Sequence, residues 1–362
     1  MGKIKVAFLI SSLGTGGAER QLVHTINCLD SSKYEIALFV LQRKGSLQNQ
    51  LKVPVHLTFL GVKSYYNPFA VQKVIAAIHE FQPDLLHSVM YASNLLARFY
   101  KMKNSSCRVL NHVHGMGSWI RKRHIVLDRL LLRYVDKILV VSEQSKQLRL
   151  ARERYPISKV ALVYNCIPVS DYLVATLRST PSKIILGTAS RLVPLKQIEM
   201  GIYLVEFLLL HGREVVFHIA GEGPELGYLK QLVFDLKLTD QVVFLGHQED
   251  MPVFYKSIDC FVLFSRTEDM PLSIVEAFAS GLPVIAPAIG GIPELLSETK
   301  SYCYDVTVPR SALFEAMEHF IFELDWAAAH TLNAHKAVAF FDISRHQQHI
   351  VSIYQQLYDS RS

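Results

Sequence analysis

Short apolar runs alternate along this chain with longer stretches in which apolar residues recur every three or four positions. The runs at 6–10, 35–41, 85–88, 109–112 and 137–141 are rich in β-branched and leucine residues, and they have the length of strands buried on both faces of a parallel sheet. Between them the spacing turns helical. Leu22, Val23, Ile26 and Leu29 fall on one helix face that would cover such a sheet. The rhythm lapses from 165 to 183, where Pro168, Ser170, Asp171, Ser179, Thr180, Pro181 and Ser182 collect, and a linker is expected there. It resumes with runs at 184–189, 215–220, 242–245, 260–264 and 283–286, and ends on a helical pattern over 342–358. The chain reads as two α/β domains, 1–168 and 169–341, each a parallel sheet covered by helices.

Composition supports this division. A chain of 362 residues exceeds what one core usually organises, and 50% hydrophobic against 19% charged residues is enough to fill two cores and argues against disorder. The net charge of +6 suits an anionic ligand or membrane surface, while no motif beyond the charge points to nucleic acid. Five scattered cysteines with no C-x-x-C pair argue against a disulfide framework or a zinc cage, and fit a reducing compartment. The apolar start behind Lys3 and Lys5 is too short for a secretory signal and leads straight into a loop and helix. No stretch reaches the roughly 18 apolar residues of a spanning helix, so a cytoplasmic protein, soluble or peripheral on the inner membrane face, is expected.

Candidate chemistry sits where strand-like runs end. Gly14 to Glu19 follows a strand and opens a helix, a place where backbone N–H groups can approach a phosphate or sugar. A dinucleotide fingerprint competes poorly, because Glu19 stands where its third glycine belongs, and a tight turn without ligand remains a second option. Ser190 to Lys196 places Arg191 and Lys196 on one short loop past a strand, where they would face a diphosphate or merely solvent. Glu268 to Glu276 follows the run at 260–264; Pro271 suits a first helical turn, and the free N–H groups there would face an anion flanked by Glu268 and Glu276. His112 and His114 could belong to a metal site, but no clear third ligand accompanies them, and a packed or capping histidine is the better expectation.

Taken in order, Gly16-Gly17-Ala18-Glu19, His112-Val113-His114-Gly115, Arg191 to Lys196, Ala220-Gly221-Glu222-Gly223-Pro224, Phe244-Leu245-Gly246, Glu268 to Glu276 and Gly290-Gly291-Ile292-Pro293-Glu294 resemble the retaining glycosyltransferases of family 4. The resemblance spans nearly the whole chain. It implies the GT-B fold, two Rossmann-like doubly wound domains facing across a cleft, with a nucleotide-sugar donor on the C-terminal side, an acceptor on the N-terminal side and a final helix that crosses back. It further implies that Arg191 and Lys196 bind the donor diphosphate, Glu276 the ribose and Glu268 the transferred sugar. His114 would contact that sugar, Gly16 and Gly17 would approach the phosphate and acceptor, and Gly246 and His247 would meet the base. Met270, Pro271, Leu272 and Ser273 complete the expected donor site.

Cations and helix N–H groups would stabilise the charge that builds on the leaving diphosphate, so neither a metal nor any other cofactor is expected. A UDP-sugar is the expected donor. A glycan or lipid-linked acceptor of polysaccharide or lipopolysaccharide synthesis is the expected partner. Trp119 to Arg133 interleaves Arg121, Lys122, Arg123, Arg129 and Arg133 with apolar residues, which fits either an anionic membrane surface or a helix packed on its own sheet. A GT-B-type sugar-nucleotide epimerase and a non-catalytic sugar- or nucleotide-binding module are the alternatives. Three departures from the family pattern stand out: Gln197 and Cys166 where glycine is usual, and an atypical stretch from Ser297 to Val308.

Overall fold

The computed structural model describes residues 2–43, 45–62, 67–117, 121–174 and 183–360. The chain divides into two compact units, one of Met1–Cys166 with Ile343–Ser362 and one of Ile167–Asp342. Among the described residues the first unit holds a seven-stranded parallel sheet of β1 (Ile4–Ser12), β2 (Tyr34–Arg43), β3 (His56–Phe59), β4 (Leu85–Val89), β5 (Arg108–Val113), β6 (Lys137–Val140) and β7 (Val160–Leu162). Their spatial order is β3-β2-β1-β4-β5-β6-β7.

Alternation along β1 explains how both faces are filled. Val6, Phe8 and Ile10 point to a core that also contains Leu22, Val23, Ile26, Ile350, Ile353 and Tyr354, while Ala7 and Leu9 join Val74, Ile78, Leu96 and Tyr100 on the other side. The last helix, Ile343–Asp359, is therefore a covering layer of the first unit. Burying Ile350 and Ile353 contributes roughly 1.5–3 kcal/mol each before entropy is charged. The helix is also fastened by His346, whose Nδ1 donates to the Tyr164 carbonyl at 3.2 Å and whose Nε2 lies 2.9 Å from the Thr25 hydroxyl. Burial lowers the His346 pKa to about 4.

The second unit holds a six-stranded parallel sheet of β8 (Ile184–Ala189), β9 (Val215–Ala220), β10 (Val242–Gly246), β11 (Cys260–Val262), β12 (Val284–Pro287) and β13 (Tyr302–Tyr304). The order is β10-β9-β8-β11-β12-β13. Leu186, Ile202, Val205, Phe217, Ile219, Val262, Ile285 and Met317 lie in its core. The two ends of this unit are stitched together where Ile167 N donates to Phe341 O at 3.0 Å.

Three strands do not show as apolar runs in the sequence. β3, β7 and β13 are edge strands of three or four residues whose positions are mostly half-buried or exposed, so they lack the continuous apolar signal of their neighbours. β13 lies inside the atypical 297–308 stretch. Of the expected linker, 175–182 lies outside the described residues.

Loop packing explains the glycines after β9. Gly221 has φ +137° and a Cβ there would stand 1.9 Å from Ser190 O; one on Gly223 would stand 2.2 Å from Leu192 O. These close approaches let Leu192 N donate to Glu222 O at 2.9 Å and Glu225 N to Leu192 O at 3.1 Å.

Two stability measurements test this account. Gly221→Ala is expected to lower urea stability by more than about 2 kcal/mol, whereas Gly227→Ala, with open space around its Cβ in the helix Leu226–Asp235, should be neutral or stabilise by up to about 1 kcal/mol. Equal effects would contradict the packing argument. For His346, the folded imidazole binds its proton more weakly than the unfolded one, so its contribution is complete above about pH 6.5 and is lost as pH falls toward 4. The stability advantage of the wild type over His346→Gln should therefore shrink by at most about 1.4 kcal/mol per pH unit in that window. A constant difference from pH 7.5 to 5 would contradict it.

Candidate functional site

In an open parallel sheet, ligands gather beyond the carboxyl ends of the strands where the strand order reverses. In the second unit that point lies between β8 and β11, since the chain builds outward through β9 and β10 on one side and returns through β12 and β13 on the other. The loops leaving β8 and β11 carry Arg191 to Lys196 and Glu268 to Pro271, and they meet. Lys196 Nζ pairs with Glu268 Oε1, both side chains largely buried, and Arg266 N donates to Leu195 O at 2.8 Å. Arg191 is exposed on the same loop.

Gln197 accounts for its own departure from glycine. Its φ of +47° is the left-handed conformation that glycine adopts most easily. The side chain compensates by bridging the two loops: with its amide oriented to satisfy both ends, it donates to Phe264 O at 2.9 Å and accepts from Arg266 Nε at 3.3 Å.

The Gly290-Gly291 turn after β12 fixes Glu268 from the other side. Gly290 has φ +54°, a Cβ there would lie 1.9 Å from Glu268 O, and Gly291 N donates to Asp269 O at 2.7 Å. The helix Leu272–Ala279 then begins. Pro271, expected inside its first turn, is instead the residue that precedes it, because its ψ of 123° is extended. Met270 and Leu272 are buried, while Pro271 and Ser273 are half-buried at the helix start.

Glu276 is the fifth residue of that helix and is buried at 2% exposure, accepting a 2.8 Å hydrogen bond from Tyr255 Oη. Sequence reasoning misses Tyr255: it lies in the helix Met251–Lys256, and only the fold brings it to Glu276. Gly246 ends β10 with φ +67°, and its carbonyl accepts from Gly221 N at 2.7 Å, which ties the β10 and β9 loops together; His247 is exposed.

The first unit has its own reversal, between β1 and β4. After β1, Ser12 Oγ donates to Glu19 Oε1 at 3.1 Å, and the Glu19 carboxylate lies so close to Gly16 that a Cβ there would stand 2.4 Å from Oε2. The N-terminus of the helix Gly17–Asn27 thus already faces a carboxylate. Gly45, which carries no sequence signal, is equally required: a Cβ on it would stand 1.7 Å from Leu13 O.

After β5, half-buried His114 lies against His112 with ring centroids 4.2 Å apart. Burial, reinforced by His346, lowers the His114 pKa to about 4, so the ring is neutral at neutral pH. The following Gly115 carbonyl accepts from Arg149 Nη2 at 2.9 Å, and Arg149 is paired in the interior with Glu153. Among the described residues no group of three His, Cys, Asp or Glu side chains is placed to hold a metal ion.

The basic segment is partly a packed helix. In Lys122–Leu130, Asp128 is buried in a 2.7 Å ion pair with Arg98, and Arg129 donates to the carbonyls of Glu153 and Arg152, each at 2.9 Å. Arg121, Lys122 and Arg123 remain exposed, as do Val126 and Leu130 at 55% and 67%. Trp119 and Ile120 lie outside the described residues. Among the described residues no helix is long and apolar enough to cross a membrane.

Comparison with known proteins bears on both units. Residues 15–171 match the model of "Glycosyltransferase Family 4", and residues 174–321 that of "Glycosyl transferases group 1". The chain is 31% identical over 329 residues to a subunit of human phosphatidylinositol N-acetylglucosaminyltransferase, covering 85% of this chain and 66% of that one. It is 24% identical over 317 residues, 80% of each chain, to the UDP-Gal:alpha-D-GlcNAc-diphosphoundecaprenol alpha-1,3-galactosyltransferase of Escherichia coli. Among solved structures, Anabaena HepE in complex with UDP superposes with a TM-score of 0.81 at 22% identity, covering 98% of this chain and all of that one.

The buried Tyr255–Glu276 contact yields a direct check. Tyr255→Phe removes a hydroxyl that donates to a buried carboxylate, and is expected to cost about 1.5–3 kcal/mol in urea unfolding with an unchanged slope. An unchanged midpoint would show that Glu276 does not depend on this donor.

Proposed function

The chain belongs to glycosyltransferase family 4, and from that premise we propose a retaining, metal-independent transfer of a sugar from a UDP-sugar to a lipid-linked or polysaccharide acceptor. It is a glycosyltransferase with the GT-B fold of two Rossmann-like domains. The observation that carries the finer reading is the convergence of Lys196 and Glu268 where the second sheet reverses.

There the cations and the helix start take complementary parts. Negative charge grows on the diphosphate as the bond from the anomeric carbon to the phosphate oxygen breaks; Lys196, Arg191 and the N–H groups at the start of Leu272–Ala279 are the groups that stabilise it. Lys196 pairs with Glu268, so in this reading it would be shared between that carboxylate and the phosphate oxygens of the donor. Glu268 then faces the transferred sugar and Glu276 the ribose. Retention follows if the acceptor hydroxyl attacks on the face the phosphate leaves, its proton passing to the departing phosphate oxygen. His114 contacts the donor sugar as a neutral imidazole, which avoids setting a cation beside an anomeric carbon that is itself becoming positive. Because Glu19 already faces the N-terminus at Gly16 and Gly17, that loop suits an uncharged acceptor hydroxyl better than a phosphate.

The names of the relatives support the substrate classes: the E. coli protein is named for a UDP-sugar and a diphosphoundecaprenol-linked acceptor, and a Rhizobium leguminosarum relative for lipopolysaccharide core synthesis. Exposed Arg121, Lys122, Arg123, Val126 and Leu130 form a surface suited to an anionic membrane, which fits an enzyme working at the cytoplasmic face, where such acceptors are presented.

Thermal unfolding in excess EDTA with UDP, GDP or ADP tests donor and metal independence together. UDP is expected to raise the midpoint, by an amount corresponding to about 2.7 kcal/mol at a hundredfold excess over Kd. Arg191→Ala and Lys196→Ala should each lower kcat by about 10²- to 10³-fold. No UDP shift without metal, or near-normal turnover in both variants, would refute the proposal.

A further inference from the structure

Three buried side chains of the first unit form a hydrogen-bonded line that the transfer reaction described above leaves unused. The Tyr354 hydroxyl, on the helix Ile343–Asp359, lies 2.6 Å from Nδ1 of His87 on β4. Nε2 of His87 lies 3.3 Å from Nδ1 of His112 on β5. All three residues are buried, and the line ends at Nε2 of His112, which has no hydrogen-bond partner among the described residues. The His112 ring rests in turn against His114.

The direction of the protons follows from counting them. Burial lowers the His87 pKa to about 3 and that of His112 well below its usual value, so each ring is neutral and carries one N–H. In one arrangement Tyr354 O–H donates to His87, His87 Nε2–H donates to His112 Nδ1, and the remaining proton stands on His112 Nε2. In the reverse arrangement the Tyr354 hydrogen and the His112 Nε2 lone pair are both left unmet in the interior. The first leaves one group unmet instead of two and is favoured.

His112 is also pinned through its backbone. Its carbonyl accepts from Met90 N at 3.1 Å and from Asn94 Nδ2 at 3.2 Å, and Met90 holds a φ of +70° that a side-chain-bearing residue adopts at a cost. Packing alone gives no reason for this: apolar residues at 87, 112 and 354 would fill the same space without burying polar groups.

We propose that Tyr354, His87 and His112 are positioning residues for His114. The line fixes His112 as the Nε2–H tautomer and fixes its ring, and that ring sets the orientation of the neutral His114 imidazole. The inference rests on the reading of His114 as the group that touches the donor sugar. It also gives the returning C-terminal helix a part in turnover besides covering the sheet.

Tyr354→Phe removes only the hydroxyl. Side-chain ¹⁵N NMR of the full-length protein is expected to show His112 as the Nε2–H tautomer in the wild type and as a mixture in Tyr354→Phe. With a UDP-sugar donor, Tyr354→Phe should lower kcat on the order of 10- to 100-fold, leave KM for the donor and the UDP Kd unchanged, and add nothing further in a His114→Ala background. Wild-type tautomers in Tyr354→Phe, or full turnover in it while His114→Ala is impaired, would overturn the inference alone. Full turnover in His114→Ala would overturn both the inference and the donor-sugar reading of that residue.

Discussion

Neighbouring parallel strands that send their chains to opposite sides of a sheet leave a gap beyond their carboxyl ends, and in the second unit that gap is spanned by the ion pair of Lys196 and Glu268. The nearby features serve to hold those two side chains. Gln197 accepts a left-handed backbone to bridge Phe264 and Arg266; Gly290 and Gly291 let the β12 turn touch the backbone of Glu268 and Asp269; Gly221 and Gly223 let the β9 loop press against Ser190 and Leu192. Mutual neutralisation also keeps either charge from being left unpaired in a partly buried setting.

The first unit solves a different problem. Its interior gathers polar groups into hydrogen-bonded networks: Arg98 with Asp128 and Asn111, Arg149 with Glu153 and Gly115, and Tyr354 with His87 and His112. The second network reaches the Gly115 loop past β5, and the third reaches the helix Ile343–Asp359. Rigidity of this kind would serve the recognition of an uncharged acceptor hydroxyl proposed for this unit, since hydroxyl recognition depends on hydrogen-bond geometry more than on net charge.

Much of this is readable in the order of residues. The strands at 184–189 and 215–220 agree with the structure to the residue, because buried parallel strands print themselves as unbroken apolar runs. The Glu268 to Glu276 segment is legible for a related reason: its chemistry is contiguous, and a carboxylate set among Ile274, Val275, Ala277 and Phe278 has to be buried and held. What escapes is long-range. Tyr255 reaches Glu276 from another helix, Gly45 is needed only because Leu13 passes close by, and His87 and Tyr354 are 267 positions apart in the chain. One signal is present and easily passed over: His87 and Ser88 interrupt the apolar β4 run, and polar residues in a doubly covered strand imply a buried network. The edge strands β3, β7 and β13 are illegible because half-exposed strands of three or four residues bury too little to show a pattern.

The central claim is that protein cations, Lys196 foremost, recognise the donor diphosphate. Calorimetric titration of UDP and UMP into the wild type and Lys196→Ala, all in excess EDTA, tests it most directly. UDP is expected to bind the wild type more tightly than UMP, with that preference largely lost in Lys196→Ala. An equal affinity for both nucleotides in the wild type, or a preference that survives the substitution intact, would contradict the account.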